Sequence, residues 1–360
     1  MLKDNLSVLK KIEDFGFSAY LVGGCVRDYC MKRESSDIDI CTNAKPKDLV
    51  NIFEDAILPK EKYGAVTIYY KNVRYEITTF RKELKYENRR PVEIEYIDDL
   101  NLDLQRRDFT VNALAMDSNG NIIDLFNGIK DIKSKVIRSL GDANLKFKED
   151  PLRILRAIRF ATVLNFKMDT NILSSICDNA YLLKEISYDR KKVELVKIFS
   201  SSNAKYGIRL LKSLNVDKYL DFRLDKLRIT SDVIGIWAQL DVCDVYPFSK
   251  IEKDMLNDII KIVNNKSIGK YEIYKYGLYK TCIAAEILGI NKKVIVNMDR
   301  KLPIRSRKDI DFSTYDAKKL LDIKEGKWIK DLFDDLEIKI LNKKLKNKKD
   351  NIREYILKNY

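Results

Sequence analysis

Near residue 140 the apolar residues of this chain change their period, and that change bounds the fold more tightly than any single motif. Before it, short runs alternate apolar and polar positions: Val66, Ile68 and Tyr70 in one, Val73, Tyr75 and Ile77 in the next, around Lys71-Asn72. A period of two buries one face of a strand, so these runs predict a hairpin over 65–70 and 73–80. After residue 140 strand signals nearly vanish, and apolar residues recur at helical spacing to the end. The expectation is an α+β chain: an N-terminal mixed sheet with helices over 1–140, then an all-helical region. At 360 residues there is room for two or more domains. We divide the helical part into a neck over 141–200, a body over 201–295 and a basic tail over 296–360.

The chemistry concentrates in Gly23-Gly24-Cys25-Val26-Arg27-Asp28 and, shortly after, Asp37-Ile38-Asp39. The apolar run 17–22 predicts a strand, and the glycines let the backbone turn sharply so that amides at the start of a following helix can face phosphate oxygens. Arg27 adds a fork of donors. Residues 36–42 predict a second strand, whose period puts Asp37 and Asp39 on one face and Ile38 and Ile40 in the core. Two carboxylates on one face suit Mg²⁺, which takes a few hard oxygens and keeps waters and substrate phosphates as its other ligands. Alone, a Gly-Gly pair is a turn and an Asp-x-Asp a solvated strand end; in this order, on strand, turn, helix and strand, they predict metal-assisted nucleotidyl transfer. Glu76, on the second strand of the hairpin, is a candidate third catalytic acid or a surface glutamate.

The formal net charge of +14 favours a polyanionic partner, RNA or DNA, with an anionic membrane surface as the competing reading. No apolar run approaches a membrane span, and residues 1–17 carry charges where a signal peptide has an apolar core, so no membrane role and a cytoplasmic location are expected. The chain has no histidine, which excludes Ser-His-Asp and Cys-His hydrolysis, His-ligated metals and histidine-based ribonuclease chemistry. Six cysteines show no zinc-like spacing and are expected as reduced core or near-core thiols.

The arrangement resembles the polymerase-β-like nucleotidyltransferases, and more closely the class II tRNA nucleotidyltransferases, or CCA-adding enzymes, relatives of the bacterial poly(A) polymerases. Asp103 to Leu114, with Arg106-Arg107-Asp108 inside it, resembles the family's Arg-Arg-Asp motif. Asp124-Leu125-Phe126-Asn127-Gly128 with Asp131 and Arg138 resembles its hinge segment, and Glu149 to Phe160 its nucleotide-selecting helix. A fainter likeness at Ile186 to Phe199 extends the resemblance to about residue 200. It implies that 1–140 is the nucleotidyltransferase head, and it carries over Gly24, Arg27, Arg107, Asp150, Arg153, Arg156 and Arg159 as nucleotide-binding positions, with Arg106 read as structural and Asp37 and Asp39, from their spacing, as metal ligands. In this family the segment corresponding to 80–91, read here as a charged mobile loop, serves the switch from C to A addition; it is undeleted, which favours complete CCA synthesis.

The selecting helix also has a physical account. Asp150 precedes Arg153 by three residues, so the two side chains can lie side by side. A carboxylate accepts from the exocyclic amino group of C or A while a guanidinium donates to the adjacent ring nitrogen; U and G offer the reverse pattern. The competing reading is a helix-capping Asp beside an ordinary Arg. The expected reaction is template-independent addition of CCA to tRNA 3′ ends from CTP and ATP with loss of pyrophosphate. A poly(A) polymerase, a CC- or A-adding specialist and a non-catalytic RNA-binding protein stay as alternatives. The lysines of the last twenty residues are either a solvated helix face or an RNA-backbone contact.

Overall fold

In the computed structural model, which describes residues 2–35, 37–60, 64–87, 90–323 and 326–360, Lys71-Asn72 joins two antiparallel strands, Ala65–Tyr70 and Val73–Thr79. Both turn residues have positive φ, 48° and 63°, the pair that lets a two-residue turn follow the twist of its strands. In chain order the strands are β1 (Ala19–Val22), β2 (Ile38–Thr42), β3 (Ile57–Lys60), β4 (Ala65–Tyr70), β5 (Val73–Thr79), β6 (Arg81–Glu87), β7 (Arg90–Tyr96), β8 (Leu114–Met116), β9 (Ile122–Asp124), β10 (Val136–Ile137) and β11 (Lys167–Met168). Seven form one sheet in the order β3-β4-β5-β2-β1-β8-β9, mixed because β2 and β5 run parallel while the other pairs are antiparallel.

Helices α1 (Leu2–Glu13), α2 (Gly24–Cys30), α3 (Pro46–Ile52), α4 (Leu100–Gln105) and α5 (Gly128–Ser134) accompany this sheet. Alternation along the strands builds a core on each face. Leu21, Ile38 and Ile40 pack with Val8, Leu9 and Ile12 of α1 and Leu49 of α3, whereas Val22 and Cys41 turn the other way to meet Phe80, Leu104 and Ala115. Asp39 shares the face of Cys41 and is only partly buried. The expected start of this strand, Ser36, lies outside the described residues.

From residue 143 the first unit, Met1–Asp221, continues as α6 (Ala143–Glu149), α7 (Leu152–Leu164), α8 (Thr170–Asn179), α9 (Tyr188–Phe199) and α10 (Ala204–Ser213). The second unit, Phe222–Tyr360, is built of α11 (Val233–Trp237), α12 (Lys250–Asn264), α13 (Lys270–Tyr276), α14 (Leu278–Leu288), α15 (Lys292–Arg300), α16 (Thr314–Leu321), α17 (Lys327–Leu341) and α18 (Lys349–Asn359). Its last helix is part of a core: Ile352 and Ile356 are fully buried against Leu332, Leu336 and Ile340 of α17. Burial of each side chain stabilises by roughly 1.5–3 kcal/mol, so the basic tail is an integral layer of this unit.

Three expectations need correcting. The segment read as a mobile loop over 80–91 belongs to a two-stranded ribbon, β6 with β7, paired from Arg81↔Tyr96 to Glu87↔Arg90; its tip at 88–89 lies outside the described residues. Lys82, Leu84, Glu93 and Glu95 are exposed; the alternation of Val92, Ile94 and Tyr96 with Glu93 and Glu95 along β7 is a strand signal that the surrounding charge obscured. One strand also occurs beyond residue 140, where β11 runs parallel to β10. Cys25 and Cys41 are buried free thiols as expected, but Cys177 is exposed.

Candidate active site

Gly23 takes φ 72°, and a Cβ built there would stand 3.2 Å from Arg107 Nη1 and 3.7 Å from Asp39 Oδ2. Only a residue without a side chain lets β1 turn into α2 between an acid and a guanidinium at that spacing. As the residue before α2 it also supplies no side-chain cap, which leaves the helix's first amides without a side-chain acceptor beside the cavity.

That cavity, about 770 Å³, lies within the first unit and is lined by all ten residues expected from the sequence: Gly24, Arg27, Asp37, Asp39, Glu76, Arg107, Asp150, Arg153, Arg156 and Arg159. The sheet supplies the acids. In the parallel pairing of β2 with β5, Asp39 is in register with Glu76. Burial raises the Asp39 carboxyl above the usual range, and the negative charges of Glu76 and Asp37 raise it further against the pull of Arg107. Hard oxygen donors with surplus negative charge fit a divalent cation, so Asp37 and Asp39 are suited to hold one. Among the described residues no group of three or more Cys, Asp or Glu stands where it could hold a metal ion by itself.

The arginines are held by a chain of acids and one amide. Arg27 donates through Nε and Nη2 to both carboxylate oxygens of Asp28, at 2.9 and 3.0 Å, and through Nη1 to Asn112 Oδ1 at 2.7 Å. Asn112 in turn donates to Asp108 Oδ1 at 3.1 Å, and Arg156 Nε donates to Asp108 Oδ2 at 2.8 Å. Burial pushes the Asp108 carboxyl up, but Arg156 and the hydrogen bonds from Asn112 and Arg156 outweigh it and bring the group down to about 2. The Phe160 ring lies 4.1 Å from the Arg159 guanidinium carbon, 5.5 Å from that of Arg27 and 5.6 Å from that of Arg156. One aromatic ring therefore lies beside three like charges.

Asp103, fully buried in the first turn of α4, accepts from Arg106 Nε at 2.9 Å, from Arg107 Nη2 at 3.3 Å and from the Arg81 backbone N–H at 3.3 Å. One carboxylate thus ties the first residue of the β6–β7 ribbon to the arginine pair. Arg106 lines the cavity, so the structural role expected for it comes with a place at the site's edge.

Around the start of α7 the two groups expected to lie side by side have separate partners. Asp150 Oδ1 accepts the Leu152 N–H at 3.2 Å and Oδ2 accepts from Arg190 Nη2 at 2.8 Å. Arg153 Nη1 donates to Glu149 Oε2 at 2.7 Å and to the Lys146 carbonyl at 3.0 Å. Farther along, Arg159 pairs with Glu194 of α9 at 3.1 Å, with side chains only 10% and 5% exposed. Sequence reasoning missed Arg190, Arg81 and Phe160 as lining residues. Arg190 lay inside the fainter likeness at 186–199, the one signal that could have drawn it in.

Three parts of the chain match known families. Residues 19–138 match the poly A polymerase head domain, 165–220 the probable RNA and SrmB-binding site of polymerase A, and 239–356 the putative tRNA nucleotidyltransferase domain 2. A CCA-adding enzyme of Staphylococcus haemolyticus is 34% identical, covering 98% of this chain and 96% of that protein. One of Anoxybacillus flavithermus is 32% identical, with 98% and 96% covered. A crystal structure of the Bacillus stearothermophilus CCA-adding enzyme in complex with CTP superposes with a TM-score of 0.84 at 26% identity, covering 99% of this chain and 96% of that one.

Proposed function

The chain belongs to the CCA-adding tRNA nucleotidyltransferases, and on that premise we propose that the 770 Å³ cavity is where the transfer takes place. The reaction adds C, C and A to the 3′ end of tRNA without a nucleic-acid template, using CTP and ATP and releasing pyrophosphate. Enzymes of this kind depend on a divalent metal. In our reading the metal is Mg²⁺ held by Asp37 and Asp39, and when bound it would lower the pKa of the tRNA 3′-hydroxyl and offset charge on the α-phosphate.

The side chains account for the remaining steps. Arg27 and Arg107, with the amides at Gly24, bind and orient the triphosphate through charge-assisted hydrogen bonds, and Arg156 and Arg159 keep the cavity positive around it. Asp150 and Arg153 pair with the base edge, accepting C and A and leaving U and G with opposed donors and opposed acceptors. Glu76, beside Asp39, takes the proton of the attacking hydroxyl as its oxygen bonds to the α-phosphorus and the bond to pyrophosphate breaks. The observation that carries this reading is the convergence of both acid strands and the arginine helix α7 on one cavity.

We assign 1–140 as catalytic head, 141–200 as neck with the selecting helix, 201–295 as body and 296–360 as tail, the last two gripping tRNA by backbone and shape. A tRNA-processing role argues for the cytoplasm. Separately, no helix among the described residues is long and apolar enough to cross a membrane. The test is to incubate the protein with Mg²⁺ and a tRNA lacking its 3′ end, offer CTP, ATP, both, UTP and GTP, and sequence the products. Two C residues followed by one A support the reading. A long A tract would point to poly(A) polymerase, a halt after CC or addition of A alone to a specialist, and no extension to a binding protein.

A further inference from the structure

Asp150 can select a base only if its carboxylate holds one orientation. A carboxylate accepts and never donates, so the keto oxygen of U or G meets a second acceptor; a carboxylate free to rotate away from that oxygen would relieve the clash and tolerate it. The structure supplies a restraint from a different helix. Arg190, in the first turn of α9, donates to Asp150 Oδ2 at 2.8 Å across forty residues of sequence, and the two side chains are 20% and 16% exposed. Both line the cavity.

The helix bearing Arg190 is anchored independently of any nucleotide. Arg159 of α7 meets Glu194 of α9 at 3.1 Å in a buried pair. Tyr188, at the start of α9, donates its hydroxyl to Asp221 at 2.9 Å, and the buried Lys191 lies 4.6 Å from its ring centroid. The other base-reading group is oriented from another direction, because Arg153 is held by Glu149 and a carbonyl of α6. The two readers are therefore set from two different helices.

We propose that Arg190 is a specificity-determining positioning residue: by pinning the Asp150 carboxylate in one orientation it makes that group a fixed acceptor, and so sets the discrimination of C and A against U and G. It acts through Asp150, and the inference rests on the assignment of Asp150 as a base-reading group. Without Arg190 the carboxylate is free to turn. A wrongly paired base is then spared the clash of two acceptors, which otherwise costs it about tenfold or more in rate.

The experiment compares full-length Arg190→Gln, Arg190→Lys, Asp150→Ala and the unaltered protein, measuring kcat/KM for CTP against UTP and for ATP against GTP on tRNA ending one nucleotide short at each step. Arg190→Gln should lower both ratios by about tenfold or more, with kcat on CTP falling less, and Arg190→Lys, which keeps the charge without the fork, should fall between. A purely structural role would slow correct and incorrect nucleotides alike and leave the ratios in place. Unchanged ratios in both Arg190 variants, with ratios lost in Asp150→Ala, overturn the role of Arg190 while the base-reading assignment stands. Unchanged ratios in Asp150→Ala as well overturn both.

Discussion

Asp39 on β2 lies in register with Glu76 on β5, in the one parallel pairing of the main sheet. A parallel ladder keeps the two acids on one face at one height, which neither strand achieves alone. Asp37→Asn and Asp39→Asn should each abolish transfer while tRNA binding persists. In the unaltered protein Mg²⁺ should raise the melting temperature relative to chelator, as any ligand of the native state does, and either substitution should remove most of that rise. Glu76→Gln should lower kcat about 10²-fold or more with little change in nucleotide KM; near-normal kcat would make Glu76 a surface acid.

Asp108 ties Arg156 to the Arg27–Asn112 pair, and its carboxyl is brought down to about 2. A depressed carboxyl contributes stability that is present above the unfolded-chain pKa of 3.8 and is lost as pH falls through the folded value of about 2. Asp108→Asn should remove that dependence, which is on the order of 2 kcal/mol. Acid unfolding followed by circular dichroism checks it: the variant's stability should change less than that of the unaltered protein between about pH 4 and pH 2, and parallel curves would show that other acids govern this range.

Arg159 and Glu194 join α7 to α9 with side chains 10% and 5% exposed. Burial already holds the Arg159 pKa below its usual value. Removing Glu194 alone leaves a buried, unpaired cation, and Glu194→Ala should cost roughly 3–5 kcal/mol in denaturant unfolding. Replacing both residues by methionine should recover much of the loss, because the desolvation penalty disappears with the charges. A double variant no more stable than the single would locate the stability in packing.

The tail separates into a buried side and a charged one. Truncation after Asn342 removes Leu345, Ile352, Tyr355 and Ile356 from the second unit's core, so it should lower the melting temperature of the whole protein. Lys343, Lys344, Lys346 and Arg353 are exposed, and glutamine at all four should leave melting unchanged. Those four substitutions should weaken tRNA binding and flatten its dependence on log salt by about 0.7–0.9 for each phosphate no longer neutralised. An unaltered slope would assign these charges to solubility.

The parts of the site readable along the chain were those set by neighbours in sequence. The Gly23-Gly24 turn, Asp37 just before β2 and Asp39 within it, and the three-residue spacing of Arg153, Arg156 and Arg159 each follow from a local pattern, and all reach the cavity. The β6–β7 ribbon escaped, although Val92, Ile94 and Tyr96 alternate with glutamates along β7, because charged residues dominate its other strand, Arg81–Glu87. Arg190 escaped as a neighbour of Asp150 for a similar reason: on its own helix it is one more basic residue in a charged turn.

By itself the sequence determined the strands of the Gly23 turn and of the 65–79 hairpin, the helical character of the second half and which chemical groups are available, because side-chain period, glycine freedom and apolar burial act over a few residues. Only the tertiary structure decided how those groups are paired. Glu76 stands beside Asp39 because β5 joins β2 in parallel, Asp150 is held by Arg190 rather than by Arg153, and Asp103 joins the ribbon to Arg107. An ion pair or a strand register across forty residues leaves no period along the chain. Its partner is set by where packing brings two distant backbones together.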